Sequence, residues 1–313
     1  MIVKKFESYH YTNGLTSLIK RLPPSHEKIE KILEELSIQE AGEFGERHIL
    51  NILKEHQLPE STYIFHNVNL HCVTKIQIDC LLISPSWCLV LEIKNLNGEL
   101  TFHPDPPQLI CEKEGEKIAY RSPESQLNQY IFGLREFFNL HQIPLPIYGV
   151  ILFPFTNSII LKPPTKFPLV IGRAIINHIW SLPKKKIVNP EKVARILMEQ
   201  MTDEGWSYFP LTKHFHLHPK ELKHGVECPK CGHIPMKRVL RTWVCEVCGH
   251  HDMRAHVQAL KDYYMLIDRN ISPKEAHHYL QLRNRYEATR ILKANSLRST
   301  GQTTSRKYEL SLN

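Results

Sequence analysis

An aspartate, a glutamate and a lysine lie in one short apolar stretch, in a pattern that could bind a metal ion. Residues 76–98 contain two runs of β-branched and apolar residues interrupted by turn residues at 84–86, which predicts a β-hairpin. If the turn is symmetrical about its centre, Asp79 lies directly opposite Glu92. Opposed residues have Cβ atoms about 5 Å apart, and like charges at that separation are destabilising. Something must therefore offset the repulsion between the two carboxylates.

A divalent cation would offset it, because carboxylate oxygens at that separation suit Mg²⁺ or Mn²⁺. The same register places Lys94 opposite Gln77, on the face that carries Asp79 and Glu92. A lysine there would orient or deprotonate a nucleophilic water, or neutralise charge that develops on a phosphate. The layout predicts a metal-dependent phosphodiesterase. The alternative is a surface hairpin with an ordinary Glu/Lys pair on its solvated face.

Composition predicts a soluble protein of two or three domains. The chain has 313 residues, of which 42% are hydrophobic and 23% are charged. The N-terminal residues are too polar for a secretory leader, and no apolar run approaches membrane-spanning length. We therefore expect a cytoplasmic protein without a membrane partner.

The net charge of +8 is concentrated towards the C-terminus. From Thr212 onward the chain has 18 Lys and Arg against 9 Asp and Glu, whereas residues 1–211 have 22 against 23. A basic surplus confined to one region is typical of a surface that meets nucleic acid. We expect DNA as the partner of this region.

The first segments predict an arm and two helices. Residues 1–24 show little periodicity and predict an irregular arm, and a first helix follows over residues 25–36. A second helix over residues 39–57 is expected to bury Ala41, Phe44, Ile49 and Ile52.

Of two acids on the second helix, only Glu46 is expected to be placed where it could serve the site. On a helical wheel Glu43 points away from the apolar stripe, whereas Glu46 lies on its flank and could reach a site at the edge of the core. The alternative for Glu46 is a solvated flank residue.

The following elements predict an α/β/α sandwich around a mixed sheet. A strand over residues 62–70 precedes the hairpin, and short strands follow it near Leu109 and Ile118. Ser122 and Pro123 then open a helix as N-cap and first residue, and residues 147–153 form a buried strand. Residues 173–180 and 190–201 predict two further helices.

Four motifs in this order resemble the nuclease-related domain (NERD) family, which is placed in the PD-(D/E)xK nuclease superfamily. The resemblance spans about residues 39–155. The motifs are Gly42, Gly45 and Glu46; Gln77-Ile78-Asp79; Glu92-Ile93-Lys94-Asn95 with Gly98; and Ser122-Pro123 with Gln126. The family commonly has Asn where this chain has Ser122, and the aromatic residue that often follows the ExK strand is not evident.

The resemblance implies a restriction-endonuclease-like fold and a role for each matching residue. Asp79 and Glu92 would be metal ligands, and Lys94 would be the catalytic lysine. Glu46 would be an auxiliary acid at the metal, and Gln126 a polar residue that faces the site. It does not supply a substrate, because the family is linked to DNA processing mainly through its fold.

Two CxxC pairs, Cys228 with Cys231 and Cys245 with Cys248, are separated by 13 residues, and a glycine follows each pair. Four thiolates in this pattern are typical of a tetrahedral Zn²⁺ in a two-knuckle ribbon, with a redox dithiol pair as the alternative. The histidine-bearing residues 213–218 are interpreted as a linker, with metal binding as the alternative.

The last sixty residues predict a winged-helix-like module. Helices are expected over residues 256–268, 272–280 and 284–295, followed by two short extended runs within 297–310. The third helix and the final hairpin carry the candidate DNA-binding residues, which are Tyr286, Thr289, Arg290, Lys293, Arg306 and Lys307. The alternative is a small helical cap with a solvated basic face. A further open question is whether the ribbon also touches DNA through Lys230, Lys237, Arg238, Arg241 and Trp243.

These patterns predict an enzyme: a metal-dependent DNA nuclease or DNA-processing phosphodiesterase with catalytic Mg²⁺ or Mn²⁺ and structural Zn²⁺. The alternative is a non-catalytic DNA-binding or regulatory adaptor that keeps the nuclease fold. The sequence assigns no oligomeric state. The expected domains are an arm and helix (1–38), a nuclease-like domain (39–211), a linker and zinc ribbon (212–252) and a winged-helix-like domain (253–313).

Overall fold

The computed structural model of the chain divides into two compact units, each assembled from separate stretches of sequence. The first unit comprises Met1–Glu7 and Gln39–Gly205, and the second comprises Ser8–Ile38 and Trp206–Asn313. The structure describes residues 1–59, 61–202, 209–295, 298–302 and 305–312.

Helices and strands alternate along most of the described chain. The helices are α1 (His10–Arg21), α2 (Ile29–Glu55), α3 (Pro123–Leu140), α4 (Ala174–Ser181), α5 (Pro190–Gln200), α6 (Leu211–His214), α7 (Ala255–Leu266), α8 (Pro273–Tyr279) and α9 (Arg285–Ala294). The strands are β1 (Ile2–Lys4), β2 (Tyr63–His71), β3 (Lys75–Ile83), β4 (Cys88–Ile93), β5 (Gly98–Pro104), β6 (Pro107–Lys113), β7 (Glu116–Arg121), β8 (Ile147–Phe153), β9 (Ser158–Lys162), β10 (Leu169–Ile171), β11 (Lys237–Val239), β12 (Thr242–Val244), β13 (His251–Asp252), β14 (Asn270–Ile271), β15 (Arg298–Thr300) and β16 (Lys307–Glu309). Among these helices, none is long and apolar enough to cross a bilayer.

A mixed sheet with helices on both faces forms the centre of the first unit. Its order is β1-β2-β3-β4-β8-β10, in which β2, β3 and β4 are antiparallel while β4, β8 and β10 are parallel. Helices α3 and α5 pack in the hydrophobic core on one face, and the second half of α2 packs with α4 on the other. Strand β4 is buried along its whole length, as expected for a strand covered on both sides. The mixed α/β architecture predicted from the element order is confirmed.

The central hairpin has the register predicted from its turn. Cys80 pairs with Leu91 and Ile83 with Cys88, so continuing the ladder by one pair places Asp79 opposite Glu92. The Ser84 hydroxyl fixes the turn, because it accepts hydrogen bonds from the backbone N–H of Ser86 at 3.1 Å and of Trp87 at 3.0 Å. Polar turn chemistry and strand alternation therefore determine which side chains meet.

A second, four-stranded sheet of order β7-β6-β5-β9 follows directly after the hairpin. Gly98 begins β5 with φ +145°, and a Cβ there would lie 2.6 Å from the carbonyl oxygen of Glu112. Only glycine fits this close approach between β5 and β6. Helix α3 then begins as predicted, with Ser122 as N-cap accepting from the backbone N–H of Ser125.

The N-terminal segment differs from the expected irregular arm and pair of helices. Residues 2–4 form β1, which pairs in parallel with β2, and residues 10–21 form α1. The two helices expected over residues 25–36 and 39–57 are one helix, α2, since residues 37 and 38 contain no helix breaker. The sequence did not predict helix α1, because its buried face has no continuous apolar stripe and includes the polar residues Thr12, Ser17 and Arg21.

The second unit contains α1, the cysteine pairs and the C-terminal helices. Strands β11, β12 and β13 form one small sheet, and β14, β16 and β15 form another. The three C-terminal helices and the two strands β15 and β16 lie close to where they were predicted, although Leu297, Thr303 and Thr304 of the expected hairpin are outside the described residues. Within the segment interpreted as a linker, Phe215 and Leu217 are buried in the hydrophobic core that contains α1, so it is a packed element.

A buried ion pair holds α1 in the second unit. The Arg21 guanidinium donates to Asp262 Oδ2 from Nε at 3.1 Å and from Nη2 at 2.7 Å, and both side chains are 1% exposed. Ser17 and Gln258 donate to Asp262 Oδ1, each at 2.9 Å. Nη1 of Arg21 donates to two backbone carbonyls. All three nitrogens of Arg21 and both carboxylate oxygens of Asp262 therefore have hydrogen-bond partners, as buried charges require.

Removing one partner of this pair should destabilise the second unit strongly. We expect Asp262→Ala to lower the free energy of unfolding by about 3–5 kcal/mol, because it leaves the arginine buried without its counter-ion. Urea unfolding followed by circular dichroism measures the loss. Lys117→Ala is the matched control, since its pair with Glu112 is exposed and should contribute less than about 1 kcal/mol. Equal effects of the two variants would contradict the structural role of Asp262.

Candidate metal centres

Asp79, Glu92 and Lys94 are brought together at the ends of β3 and β4. Glu92 is 1% exposed, and its Oε1 lies 2.6 Å from Nζ of Lys94. Its other oxygen, Oε2, is buried and has no hydrogen-bond partner among the described residues. Asp79 is half-buried, and its Oδ2 accepts a hydrogen bond from the backbone N–H of Ile93 at 2.9 Å. One buried carboxylate oxygen in this cluster thus lacks the partner that burial normally demands.

Burial and mutual repulsion shape the ionisation of the three groups. Burial, reinforced by the charge of Asp79, raises the pKa of Glu92 to about 7. Burial and the charge of Glu46 raise the pKa of Asp79 to about 7 as well. Burial lowers the pKa of Lys94, but the carboxylates of Glu92 and Asp79 outweigh it and leave that pKa above its ordinary value. The carboxylates therefore lie in a setting that favours added positive charge.

Glu46 joins this cluster from helix α2 and is held by a histidine. Its Oε2 lies 2.8 Å from Nε2 of His66 on β2, and both side chains are buried. Burial, helped by the charge of Lys4, lowers the pKa of His66 to about 4. The imidazole is therefore neutral at neutral pH, and its Nε2–H donates to the carboxylate. Sequence reasoning missed His66, because it lies outside the hairpin and the motifs.

The buried face of α2 differs from the one predicted. Glu43 is 3% exposed, whereas Ala41 and Phe44, which were expected to be buried, are exposed. Gly45 explains why this side of α2 is the buried one, because only a residue without a side chain fits so close to its neighbours. A Cβ at position 45 would lie 2.8 Å from Asn95 and 2.9 Å from Pro154. Helix α2 therefore packs close to the end of β4 at Gly45, and Glu43 and Glu46 lie on its buried side. The expectation that Glu43 would point away from the core was wrong.

Tyr130 on helix α3 lies near enough to Glu92 and Asp79 for their charges to act on it, and Gln126 contacts Tyr130. Gln126 is half-buried and its Nε2 lies 3.4 Å from the Tyr130 hydroxyl. Burial, with the charges of Glu92 and Asp79, raises the pKa of Tyr130. Arg121, at the end of β7, lowers the pKa of Glu92 and so lies within reach of its charge. Tyr130 was assigned only to the apolar stripe in the sequence, where its hydroxyl gave no signal.

The donor set of this site suits a hard divalent cation. Asp79 and Glu92 offer carboxylate oxygens, one of them the unpartnered Oε2, as Mg²⁺ and Mn²⁺ prefer. A cation would also reduce the repulsion between the two acids. These residues therefore fit the metal that the sequence predicts.

The four cysteines of the second unit form a compact cluster. The sulfur atoms of Cys228, Cys231, Cys245 and Cys248 all lie within 4.8 Å of one another. Each CxxC pair makes the same turn, with the glycine that follows at φ +72° or +66° and its N–H bonded to the carbonyl of the first cysteine. Four convergent sulfurs match the tetrahedral thiolate site of structural zinc, so the cluster could bind Zn²⁺.

The candidate DNA-binding residues lie on α9 and beside β16. Tyr286, Arg290 and Lys293 are exposed on α9, and Thr289 is half-buried. Their helix buries Ala288, Ile291 and Leu292 on its opposite face, as predicted. Lys307 is exposed on β16, whereas Arg306 before it is half-buried.

One aromatic residue of the ribbon does not belong to this surface. Trp243, considered above as an aromatic contact, is fully buried in the core and cannot stack on a base.

Loss of one cysteine should release the metal from the ribbon. We expect the native protein to carry one zinc per chain and Cys231→Ser to retain markedly less, because three thiolates leave the tetrahedral site incomplete. Cys231 is exposed, so the change removes a ligand without opening the core. Native mass spectrometry measures the zinc content. Cys72→Ser is the control and should keep the metal, whereas full zinc in Cys231→Ser would contradict a four-cysteine site.

Comparison with known proteins supports the family indicated by the sequence motifs. Residues 41–154 match the family model of the nuclease-related domain, NERD. The matched segment contains Glu46, Asp79, Glu92, Lys94 and Gln126. No curated protein and no solved structure matches the chain. Over residues 41–154 the chain is therefore similar to a nuclease-related domain.

Proposed function

We propose that this protein is a metal-dependent nuclease that cleaves phosphodiester bonds in DNA. The observation that carries the proposal is the buried, unpartnered Oε2 of Glu92 beside Asp79 and Lys94. A buried acid beside a half-buried one, with an adjacent ammonium, is costly to a fold unless the group serves a ligand. The match to the nuclease-related family model and the mixed α/β architecture agree with phosphodiester chemistry.

Asp79 and Glu92 would hold the divalent cation. When bound, Mg²⁺ or Mn²⁺ supplies Lewis acidity to a phosphate oxygen and lowers the pKa of bound water. Asp79 is already oriented for this role by the Ile93 N–H, and Glu92 by the Lys94 ammonium.

The remaining residues orient the acids and stabilise charge. Lys94 presents an ammonium where negative charge develops on the phosphate, and it keeps Glu92 in place. Glu46, fixed by His66, adds a third carboxylate whose charge acts on Asp79. Gln126 is a polar group within reach of Tyr130 at the same end of the sheet, suited to hold a substrate oxygen or water.

DNA affinity would come from the second unit. Residues 8–38 have four basic and four acidic residues, so this unit keeps the surplus of nine positive charges found from Thr212 onward. Three helices followed by a hairpin favour a winged-helix-like module that places α9 against DNA. Arg290 and Lys293 would contact the duplex from α9. The zinc in the ribbon would be structural.

Asp79→Asn should abolish cleavage without loss of stability. We expect metal-dependent nicking of supercoiled plasmid to fall by about 100-fold or more, because a ligand charge is lost. In EDTA the midpoint of thermal unfolding of the variant should equal or exceed that of the native protein. The amide oxygen of the new Asn side chain still accepts from the backbone N–H of Ile93, and the charge repulsion with Glu92 is removed. Cleavage assays with Mg²⁺, Mn²⁺ or EDTA and thermal unfolding measure both effects.

Asp105→Asn is the matched control, since Asp105 is exposed in the turn between β5 and β6. This variant should cleave like the native protein. If the native protein binds DNA but cuts none of a panel of duplex, single-stranded and branched substrates, the enzyme proposal fails. That outcome would favour a non-catalytic DNA-binding or regulatory adaptor.

Charge removal on α9 should weaken DNA binding uniformly. We expect Arg290→Ala with Lys293→Ala to reduce duplex affinity about tenfold at moderate salt, and to reduce the slope of log K against log salt by about two. Filter binding across a salt series measures both values. Lys213→Ala with Lys220→Ala removes two exposed lysines elsewhere in the unit and should change neither value. Unchanged binding of the α9 variant would exclude this helix as the DNA contact.

A further inference from the structure

Three aromatic rings lie in contact at the surface of the first unit. Phe44 on α2 and Phe155, just after β8, stack with ring centroids 5.5 Å apart and ring planes 22° apart. The ring of His48, one turn after Phe44, lies 4.6 Å from that of Phe155. Phe44 is nevertheless 58% exposed. Large apolar residues scattered singly on a surface are ordinary, whereas rings in contact form a patch that can bind a ligand. We call Phe44, His48 and Phe155 the aromatic platform.

The aromatic platform adjoins the strand end that carries Lys94. Asn95 directly follows this lysine, and its Nδ2 donates to the backbone carbonyl of Ala41 on α2 at 2.7 Å. A Cβ at Gly45 would lie 2.8 Å from the Asn95 side chain. Phe44 lies on α2 between these two contacts with Asn95. The exposed ring is therefore held beside the end of β4.

The second phenylalanine is held at the same place by β8. The backbone N–H of Lys94 donates to the carbonyl of Leu152 at 2.9 Å, so the ends of β4 and β8 run side by side. Pro154 follows β8, and a Cβ at Gly45 would lie 2.9 Å from its ring. Phe155 comes directly after this proline. Both phenyl rings thus flank the close contact at Gly45.

Two cationic side chains reach solvent at this edge of the sheet. Strands β4, β8 and β10 are parallel, so their carboxyl ends share one edge, where α/β sheets commonly bind ligands. The Lys94 side chain is 25% exposed. Arg173 is exposed directly after Gly172, whose N–H donates to the carbonyl of Phe153 at 2.8 Å. The aromatic platform is therefore bordered by groups that attract phosphate.

We propose that the aromatic platform stacks on an unpaired base of single-stranded DNA, so that the proposed nuclease acts on strands with unpaired bases. The inference rests on the proposed function for the choice of DNA as ligand, and it names the class of substrate. Aromatic side chains stack on any base, because every base has a π-face. In a duplex the neighbouring bases cover those faces, so only an unpaired or displaced base can stack on the platform.

A protein partner or a second copy of the chain fits the aromatic platform less well. A specific protein interface buries about 800 Å² on each partner. A whole aromatic side chain contributes about 150–250 Å², and two of the three rings are already half-buried. The platform alone therefore offers too little apolar surface for such an interface. A single base needs only one accessible ring face.

The experiment detects stacking directly and does not require cleavage. A short single-stranded oligonucleotide carries one 5-iodouracil, a base that crosslinks on irradiation to an aromatic ring stacked on it. The full-length protein is used with Ca²⁺ in place of Mg²⁺, so that cutting does not compete with binding. We expect peptide mapping to find the crosslink at Phe44 or Phe155 in the native protein.

Loss of one ring should weaken this binding. We expect Phe44→Leu to lose the crosslink at position 44 and to bind the single strand at least about fivefold more weakly, because leucine keeps an apolar side chain but has no π-face. Fluorescence anisotropy measures the affinity. Binding of a blunt duplex should be unchanged, since it offers no open base face to the platform. Phe44→Trp should bind the single strand at least as tightly as the native protein.

Phe132→Leu is the matched control. Phe132 is 51% exposed on α3 and lines a surface cavity with Ile147 and Tyr148, at the end of β8 opposite to Phe155. This variant should keep the crosslink and the affinity. Circular dichroism checks the folding of each variant. If Phe44→Leu does not fold, Phe44→Trp decides the question, and weaker binding in it would overturn the proposal.

The outcomes separate this inference from the proposed nuclease. If the native protein cuts DNA but forms no crosslink on the aromatic platform, or if Phe44→Leu binds the single strand equally, stacking is wrong while the enzyme proposal stands. A crosslink without any cleavage in Mg²⁺ would leave the single-strand contact in place and remove the enzyme proposal. Equal losses of single-strand and duplex binding in Phe44→Leu, or equal losses in Phe132→Leu, would overturn the inference. A native dimer that Phe44→Leu converts to a monomer, with strand binding unchanged, would assign the platform to a second copy of the chain.

Discussion

The repulsion between Asp79 and Glu92 is the constraint on which the first unit depends. The hairpin register places the two acids opposite each other, and burial raises the pKa of both to about 7. Such a pair persists only because the surrounding sheet is stable enough to hold it. Strand β4 is buried throughout, and helices cover both faces of the sheet. The core thus keeps two like charges close, at a point where a bound cation would reduce their repulsion.

Charge is divided unequally between the units. The stretches that form the second unit contain the whole positive surplus, which leaves the stretches of the first unit close to neutral. A nearly neutral unit gains little from electrostatic attraction to a phosphate backbone. The acids of the first unit would even repel that backbone in the absence of metal. In the proposed nuclease, therefore, substrate capture and bond cleavage depend on different residues and respond differently to salt.

The predictable features were those set by local chemistry. Ser84 and the period of two along the strands fixed the hairpin register, and Ser122 with Pro123 fixed the start of α3. The features that the sequence did not predict depend on tertiary contacts. The prediction for Glu43 was wrong because a helical wheel places apolar residues inside, whereas on α2 Glu43 is buried and Phe44 is exposed. His66 could not be found, since only folding brings it to Glu46.

The interleaving of the two units has a consequence for synthesis of the protein. The first unit needs only residues up to 205, so it can fold while translation continues. Helix α1 emerges from the ribosome early, but its partner Asp262 is made more than two hundred residues later. The charged and apolar face of α1 therefore stays exposed to solvent until the C-terminal helices have been synthesised. A chain that stops early would therefore contain the acidic cluster without the unit that we propose delivers it to DNA.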